Sequence, residues 1–188
     1  MSLHHAILGI LSVMPMTGYD LKTQAFDQSV AHFWQADQSQ IYRTLSKMQE
    51  DGWVRHEVEV QAERPNRKVF HLTDAGRAEL TRWLHTEQSL PVNREAFLVQ
   101  MFFGASLSNE TLLALIAGQR AGHVKRLAAF EQIPVPPLEK PDIDRVRTLW
   151  RLTLELGMTI EQAYLDWLDV CTAVISVLPE TNDAAPEA

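Results

Sequence analysis

The sequence predicts a mainly α-helical protein carrying one small β-hairpin in its N-terminal half. Three observations point there. Apolar residues recur at three- and four-residue spacing through most of the chain, strict alternation is confined to residues 54–72, and everything after residue 90 reads as helix. The composition is that of an ordinary globular chain, with 188 residues, 46% hydrophobic and 22% charged. A single cysteine excludes a disulfide framework and any cysteine-based zinc cluster within one chain. No apolar run approaches the roughly 18 residues that a membrane span needs. The apolar stretch from Ala6 to Met14 lacks a basic flank, the first Lys or Arg being Lys22, so it is not read as a signal peptide. A cytoplasmic protein is expected.

The first helix is read over residues 3–13, with Leu3, Ile7, Ile10 and Leu11 on one face, and Met14-Pro15-Met16 ends it. Thr17 caps a second helix over residues 18–29, with Asp20 beside its positive end and Tyr19 or Leu21 and Phe26 buried. A third spans residues 37–51 and stops at Gly52. Its apolar residues Ile41, Leu45 and Met48 lie on one stripe, while Gln40, Arg43, Thr44 and Lys47 lie on another. Val54, His56, Val58 and Val60 alternate with polar residues, a turn covers residues 62–66, and residues 67–72 alternate again, giving a hairpin with a basic tip. Thr73 caps a helix over residues 74–85. The second half holds helices at residues 93–104, at about 109–132 behind Ser108, and from an Asp142 cap to about 178. Gly157 and the Thr159-x-x-Gln162 pattern suggest a kink or break in the last of these.

A division near Leu90-Pro91 separates residues 1–90 from a helical segment, 91–178, and from an acidic, Pro-containing tail, 179–188, expected to be disordered. Basic and acidic residues number 9 and 11 before the division, 8 and 13 after it.

Three helices followed by a two-stranded hairpin is the order of a winged helix-turn-helix, whose recognition helix enters the major groove. Such a helix needs an apolar side toward the core and a donor-rich side toward base edges and phosphates. Residues 37–51 offer both, and Arg64, Arg67 and Lys68 place cations on the hairpin beside them. Solvated faces with the same charges are common. The conjunction of the two elements favours DNA, although an acidic total weakens nonspecific attraction.

Three stretches carry a family resemblance across residues 1–76: LHHAILGILSVMPMTGYDL, SQIYRTLSKMQEDGWV and RPNRKVFHLTDAG. The sequence resembles the PadR family of bacterial transcriptional regulators, in its longer branch with an all-helical C-terminal dimerisation domain. The resemblance implies a homodimer, read here as a repressor, whose winged helices bind palindromic operator DNA. Phe70 departs from the pattern, since tyrosine is frequent there. Carried onto this sequence, the DNA-contacting residues are Tyr19, Ser39, Gln40, Tyr42, Arg43, Lys47, Arg64, Arg67 and Lys68. Gln40 and Arg43 are assigned to base readout, and Lys47 and the wing cations to phosphate.

The C-terminal half is rich in aromatic residues. Core and dimer interface is the first reading of them; the second is a pocket formed by Phe97, Met101, Trp150 and Trp167 for a small aromatic effector that releases DNA. No cofactor or metal site is expected. His4 and His5 are adjacent and share no helix face, His56 and His71 read as a cross-strand surface pair, Cys171 as a buried thiol, and Asp166 with Asp169 lacks the partners of a catalytic dyad. No phosphate loop, G-x-S-x-G or H-E-x-x-H occurs, so an enzyme is not expected. The alternative is a winged helix used for protein contact without DNA.

Overall fold

The structure, a computed structural model, describes residues 3–31, 33–60, 66–135 and 144–179. The chain divides into two units, Met1–Ser89 and Leu90–Ala188. The expected tail beyond Pro179, all but Asn66 of the turn read over residues 62–66, and the Asp142 cap lie outside the described residues.

The first unit begins with α1 (Leu3–Val13) and strand β1 (Met16–Thr17). Thr17 then caps α2 (Gly18–Asp20): its Oγ1 accepts from the Asp20 amide at 3.0 Å and donates to the Asp20 carboxylate at 2.7 Å. The helix widens into a π-helix over Leu21–Ser29, where a regular helix was expected. Its five-residue hydrogen-bond repeat sets Leu21, Ala25 and Phe26 together in the core. Tyr19 is exposed, which settles the choice of buried residue in favour of Leu21. Helix α3 (Gln38–Glu50) starts in a capping box at Asp37 and ends before Gly52, whose φ is 73°.

Strands β2 (Val54–Glu59) and β3 (Arg67–Leu72) pair antiparallel, Val54 opposite Leu72 and Glu59 opposite Arg67. β1 joins the other edge of β3 through Met16 opposite Phe70, a two-residue strand too short to show a period in sequence. Only the base of the ribbon is buried. Val54 is inside, whereas Val58 and Val60 are exposed, so the alternation marks a projecting wing rather than a half-covered strand. His56 stands opposite Phe70, not His71, and bonds Gln49 of α3; His71 faces Glu57 instead.

Helix α4 (Asp74–Leu84) closes the unit. Thr73 Oγ1 accepts from the Gly76 amide at 3.1 Å and bonds the carbonyls of Gly52 at 2.7 Å and Trp53 at 2.9 Å. A Cβ at position 76 would lie 2.1 Å from the Trp53 carbonyl oxygen, so only glycine lets α4 start this close to the loop. The Thr-Asp-Ala-Gly stretch therefore fixes the wing's exit to the C-terminus of α3. Ile7, Leu8, Leu21, Phe26, Ile41, Leu45 and Met48 are fully buried in one cluster, each contributing about 1.5–3 kcal/mol relative to exposure.

The second unit has helices and no strand among its described residues. Helix α5 (Ala96–Phe103) begins three residues later than expected, and a 3-10 turn (Gly104–Ser106) leads to α6 (Asn109–Glu131), capped by Ser108. Helix α7 (Arg145–Ile175) starts at an Asp144 cap and runs without interruption. The break expected at Gly157 is absent because that glycine is buried between Leu154 and Glu161, and packing along the face outweighs the roughly 1 kcal/mol that glycine costs a helix interior. Asn109 reaches the Leu178 carbonyl, Arg120 pairs with Asp169, and Arg126 with Glu161, so α6 and α7 pack antiparallel.

Candidate nucleic-acid interface

Helix α3 has a buried side and an exposed side, and the residues that could meet DNA sort by what already holds them. Ile41, Leu45 and Met48 anchor it to the core. Ser39, Gln40, Arg43 and Lys47 are exposed. Gln40 is committed to the capping box: its amide bonds Asp37 Oδ1 at 2.7 Å and its side-chain oxygen accepts from the Asp37 amide at 3.1 Å. Bidentate adenine readout needs that same oxygen, so Gln40 fixes the start of the helix rather than presenting a free amide. Ser39 also donates to Asp37, at 2.7 Å. These bonds hold the Asp37 carboxyl below the ordinary range, the Gln40 amide foremost.

Arg43 makes one long contact, from Nε to the Ser39 carbonyl at 3.4 Å, and among the described residues no carboxylate lies within ion-pair distance of it. Lys47 is paired with Asp51 at 2.9 Å one turn on, which raises its pKa. Tyr42 lays its ring over Gly18, where a Cβ would come within 2.6 Å of the ring edge. That contact links the two signature stretches GYDL and IYRTL and makes Tyr42 a spacer between α2 and α3, its ring still partly exposed.

In the wing, Arg67 donates to Asp20 at 2.8 Å across 47 residues of sequence. Asp20 is mostly buried and also accepts from Thr17 and Gln24. Arg67 thus braces the wing against α2, a role invisible in sequence because nothing marks Asp20 as its partner. Lys68 is exposed opposite Val58, with no ion-pair partner among the described residues. Arg64 lies outside the described residues. Among the described cations of α3 and the wing, those that are exposed and without an ion-pair partner are Arg43 and Lys68.

In the second unit, Phe97 and Trp167 meet edge to face at 6.0 Å, and Met101 packs on the same cluster. Trp150 lies 17 residues before Trp167 on the continuous α7, about 25 Å along its axis at 1.5 Å per residue, and is half exposed. The structure brings three of the four expected pocket residues together and leaves Trp150 out. A buried network that the sequence reading missed lies next to them. His123 Nδ1 meets Glu161 Oε2 at 2.5 Å, Arg126 donates to Glu161 at 3.0 Å, and Tyr164 stacks on His123 at 4.4 Å while bonding Glu95. Cys171 is half-buried rather than buried, and its surroundings push the thiol pKa up. Asp169 is taken by Arg120 and Asp166 by Gln162. No helix among the described residues is long and apolar enough to cross a membrane.

Residues 7–82 match the family model described as transcriptional regulator PadR-like, and residues 93–176 match the virulence activator alpha C-terminal family. The chain is 33% identical to the Probable transcriptional regulator Rv1176c of Mycobacterium tuberculosis, over 90% of this chain and 95% of that protein. It is 29% identical to the Negative transcriptional regulator PadR of Bacillus subtilis, over 92% and 97% respectively. Crystal structures of the Bacillus subtilis protein superpose with a TM-score of 0.78 when in complex with operator DNA, at 28% identity over 92% of this chain and 98% of that one. In complex with p-coumaric acid the TM-score is 0.69, at 28% identity over 93% and 98%. This chain belongs to the PadR-like family of transcriptional regulators, which are not enzymes.

Proposed function

We propose that the protein is a cytoplasmic repressor that binds a palindromic operator as a homodimer and leaves it when a small aromatic acid binds. The observation that carries the DNA reading is the exposure of Arg43 on a helix whose opposite face is locked in the core, beside a wing presenting Lys68. The likeness to a regulator crystallised on operator DNA, and to the same regulator described as negative, supports contact and sign.

Helix α7 supports the homodimer. Leu149, Leu156, Ala163 and Val170 repeat every seven residues, and Ile160, Trp167 and Val174 follow the last three of them by four. All but the half-buried Trp167 are exposed, a coiled-coil seam that the described residues leave uncovered. A two-fold dimer would close that seam, and operator binding needs two recognition helices roughly 34–36 Å apart, one turn of DNA. The Phe97, Met101 and Trp167 cluster adjoins the seam through Trp167. An aromatic acid bound there would shift the subunits and spoil the spacing.

Titration of operator and random DNA at several salt concentrations tests the reading. Arg43→Ala should lose about 1–3 kcal/mol of discrimination between them. Lys68→Ala should weaken both alike and flatten the slope of log affinity against log salt by about 0.9, roughly eightfold in affinity at 0.1 M salt. Sedimentation should give a dimer, and p-coumaric acid should quench tryptophan fluorescence and lower operator affinity together. Equal losses on both DNAs for Arg43→Ala defeat its assignment to bases. Neutralising Arg43, Lys47 and Lys68 without effect defeats DNA binding altogether and leaves the protein-contact alternative.

A further inference from the structure

On α1 taken alone, His4 and His5 share no helix face. Glu79 of α4, packed against α1, comes up to both of them. The two imidazoles and this carboxylate each bring a ligand atom within 4.8 Å of the others. His5 Nε2 is 2.9 Å from Glu79 Oε1, and both side chains are largely buried. We propose that His4, His5 and Glu79 form a binding site for a divalent transition-metal ion of the zinc type.

Geometry favours this ion class. Bonds of about 2.0–2.1 Å to nitrogen and oxygen give neighbouring ligand atoms an edge of about 2.9 Å in an octahedral shell and about 3.3 Å in a tetrahedral one. The His5–Glu79 edge already has the shorter value, so a metal replaces their shared proton with little movement. His4, whose ligand atom lies within 4.8 Å of the other two, has to close in by up to about 1.5–1.9 Å, and it is the half-exposed member at the end of α1. Two imidazoles with one carboxylate suit zinc, cobalt, nickel or copper, whereas magnesium and calcium want oxygen throughout.

The surroundings are those of an outer shell. Arg82 holds both Glu79 oxygens, Nε on Oε2 at 2.8 Å and Nη2 on Oε1 at 2.6 Å, and so fixes the carboxylate's plane. Trp83 stacks on His5 with centroids 4.5 Å apart, and Trp53 lies 5.2 Å from His4, walling the site with aromatic carbon. Arg82 also adds a positive charge, which lowers affinity; the negative field of Asp51 at His4 works the other way. A bound ion would tie α1 to α4 on the scaffold that carries α3.

The test uses the full chain, stripped by chelator, titrated with Co2+ and then with Zn2+ in competition. One ion per chain is expected, with visible d–d bands that Zn2+ abolishes and excess Mg2+ does not, and with a rise in the thermal midpoint. Loss of an outer-shell partner alone costs about 10–100-fold in metal affinity, so Glu79→Gln and His4→Gln should each cost at least that, while His85→Gln should change nothing. Circular dichroism in chelator establishes that each variant is folded. Absence of saturable uptake, or uptake unchanged in Glu79→Gln and His4→Gln, overturns the site and leaves the cluster as a hydrogen-bonded brace. Should a folded Glu79→Gln be too unstable to titrate, His4→Gln decides alone, because that side chain is half exposed.

Discussion

His123→Ala should destabilise the helical unit more than any truncation on its surface. Glu161 is 4% exposed and has two described partners, His123 at 2.5 Å and Arg126 at 3.0 Å. The guanidinium of Arg126 comes from a side chain still more than half exposed, so the imidazole is the partner inside the helix pair. Removing it leaves a buried carboxylate half satisfied, a change worth about 3–5 kcal/mol. Loss of stacking on Tyr164 adds about 0.5–1.5 kcal/mol. A chain of this size shifts its midpoint by roughly 2–4 °C per kcal/mol, so a loss near 4 kcal/mol means about 8–16 °C. Urea and thermal unfolding followed by tryptophan emission would read it, since Trp167 lies 6.0 Å from the Tyr164 ring. Glu161→Gln keeps the shape and should cost less, about 1–3 kcal/mol. Replacing both His123 and Glu161 by leucine should recover most of the loss, because no uncompensated charge remains buried. If His123→Ala costs under about 1 kcal/mol, or if the single losses simply add in the double variant, the pair is not coupled and the reasoning fails.

Gly76→Ala should destabilise the N-terminal unit by about 1–3 kcal/mol, because the new methyl meets the Trp53 carbonyl oxygen at 2.1 Å. Helix propensity alone predicts a gain of about 1 kcal/mol, so the sign of the change in thermal midpoint decides between contact and propensity. Glu79 supplies a pH test, made in chelator. Hydrogen bonds from Arg82 and then His5 hold its pKa at about 2 against an ordinary 4.5. A folded value below the unfolded one gives stability that is complete above pH 4.5 and drains away as the pH falls toward 2. Glu79→Gln should therefore be less stable than the wild type at neutral pH, by about 1–3 kcal/mol, with the gap closing in acid. Two stability curves that stay parallel from pH 7 down to about 2 would refute the role given to that carboxylate.

Local chemistry made the N-terminal elements legible. Thr17 and Thr73, like Ser108 in the second unit, are caps whose side chains bond the amides three residues on, a pattern that needs no tertiary knowledge; Asp37, read as the first residue of its helix, is a further cap. The stripe of Ile41, Leu45 and Met48 likewise follows from period alone. What escaped was non-local. A two-residue strand has no period, and the pairing of Arg67 with Asp20 spans 47 positions. Gln40 reads in sequence as a donor on the outer face, whereas in the structure the Asp37 cap takes it. On α7, the preference of Gly157 and Thr159 for a break was outweighed by a buried face running the length of the helix.

An acidic protein that binds DNA must keep most of its cations from acting as phosphate clamps in the wrong places, and this chain does so by pairing them at home. Lys47 answers Asp51, Arg67 answers Asp20, Arg55 answers Glu57 and Arg82 answers Glu79. Each pair lowers the counterion release that drives nonspecific binding, since a cation must leave its carboxylate before it can take a phosphate. Few described cations of the winged helix are left for DNA without that exchange, and Arg43 and Lys68 stand on the two elements that the fold presents. One winged helix so equipped would hold DNA weakly. Two, set a helical turn apart in the homodimer proposed above, would hold it only where both half-sites are correct. On this reading specificity comes from spacing more than from the strength of either grip, and that makes the interface between subunits the natural place for a ligand to act.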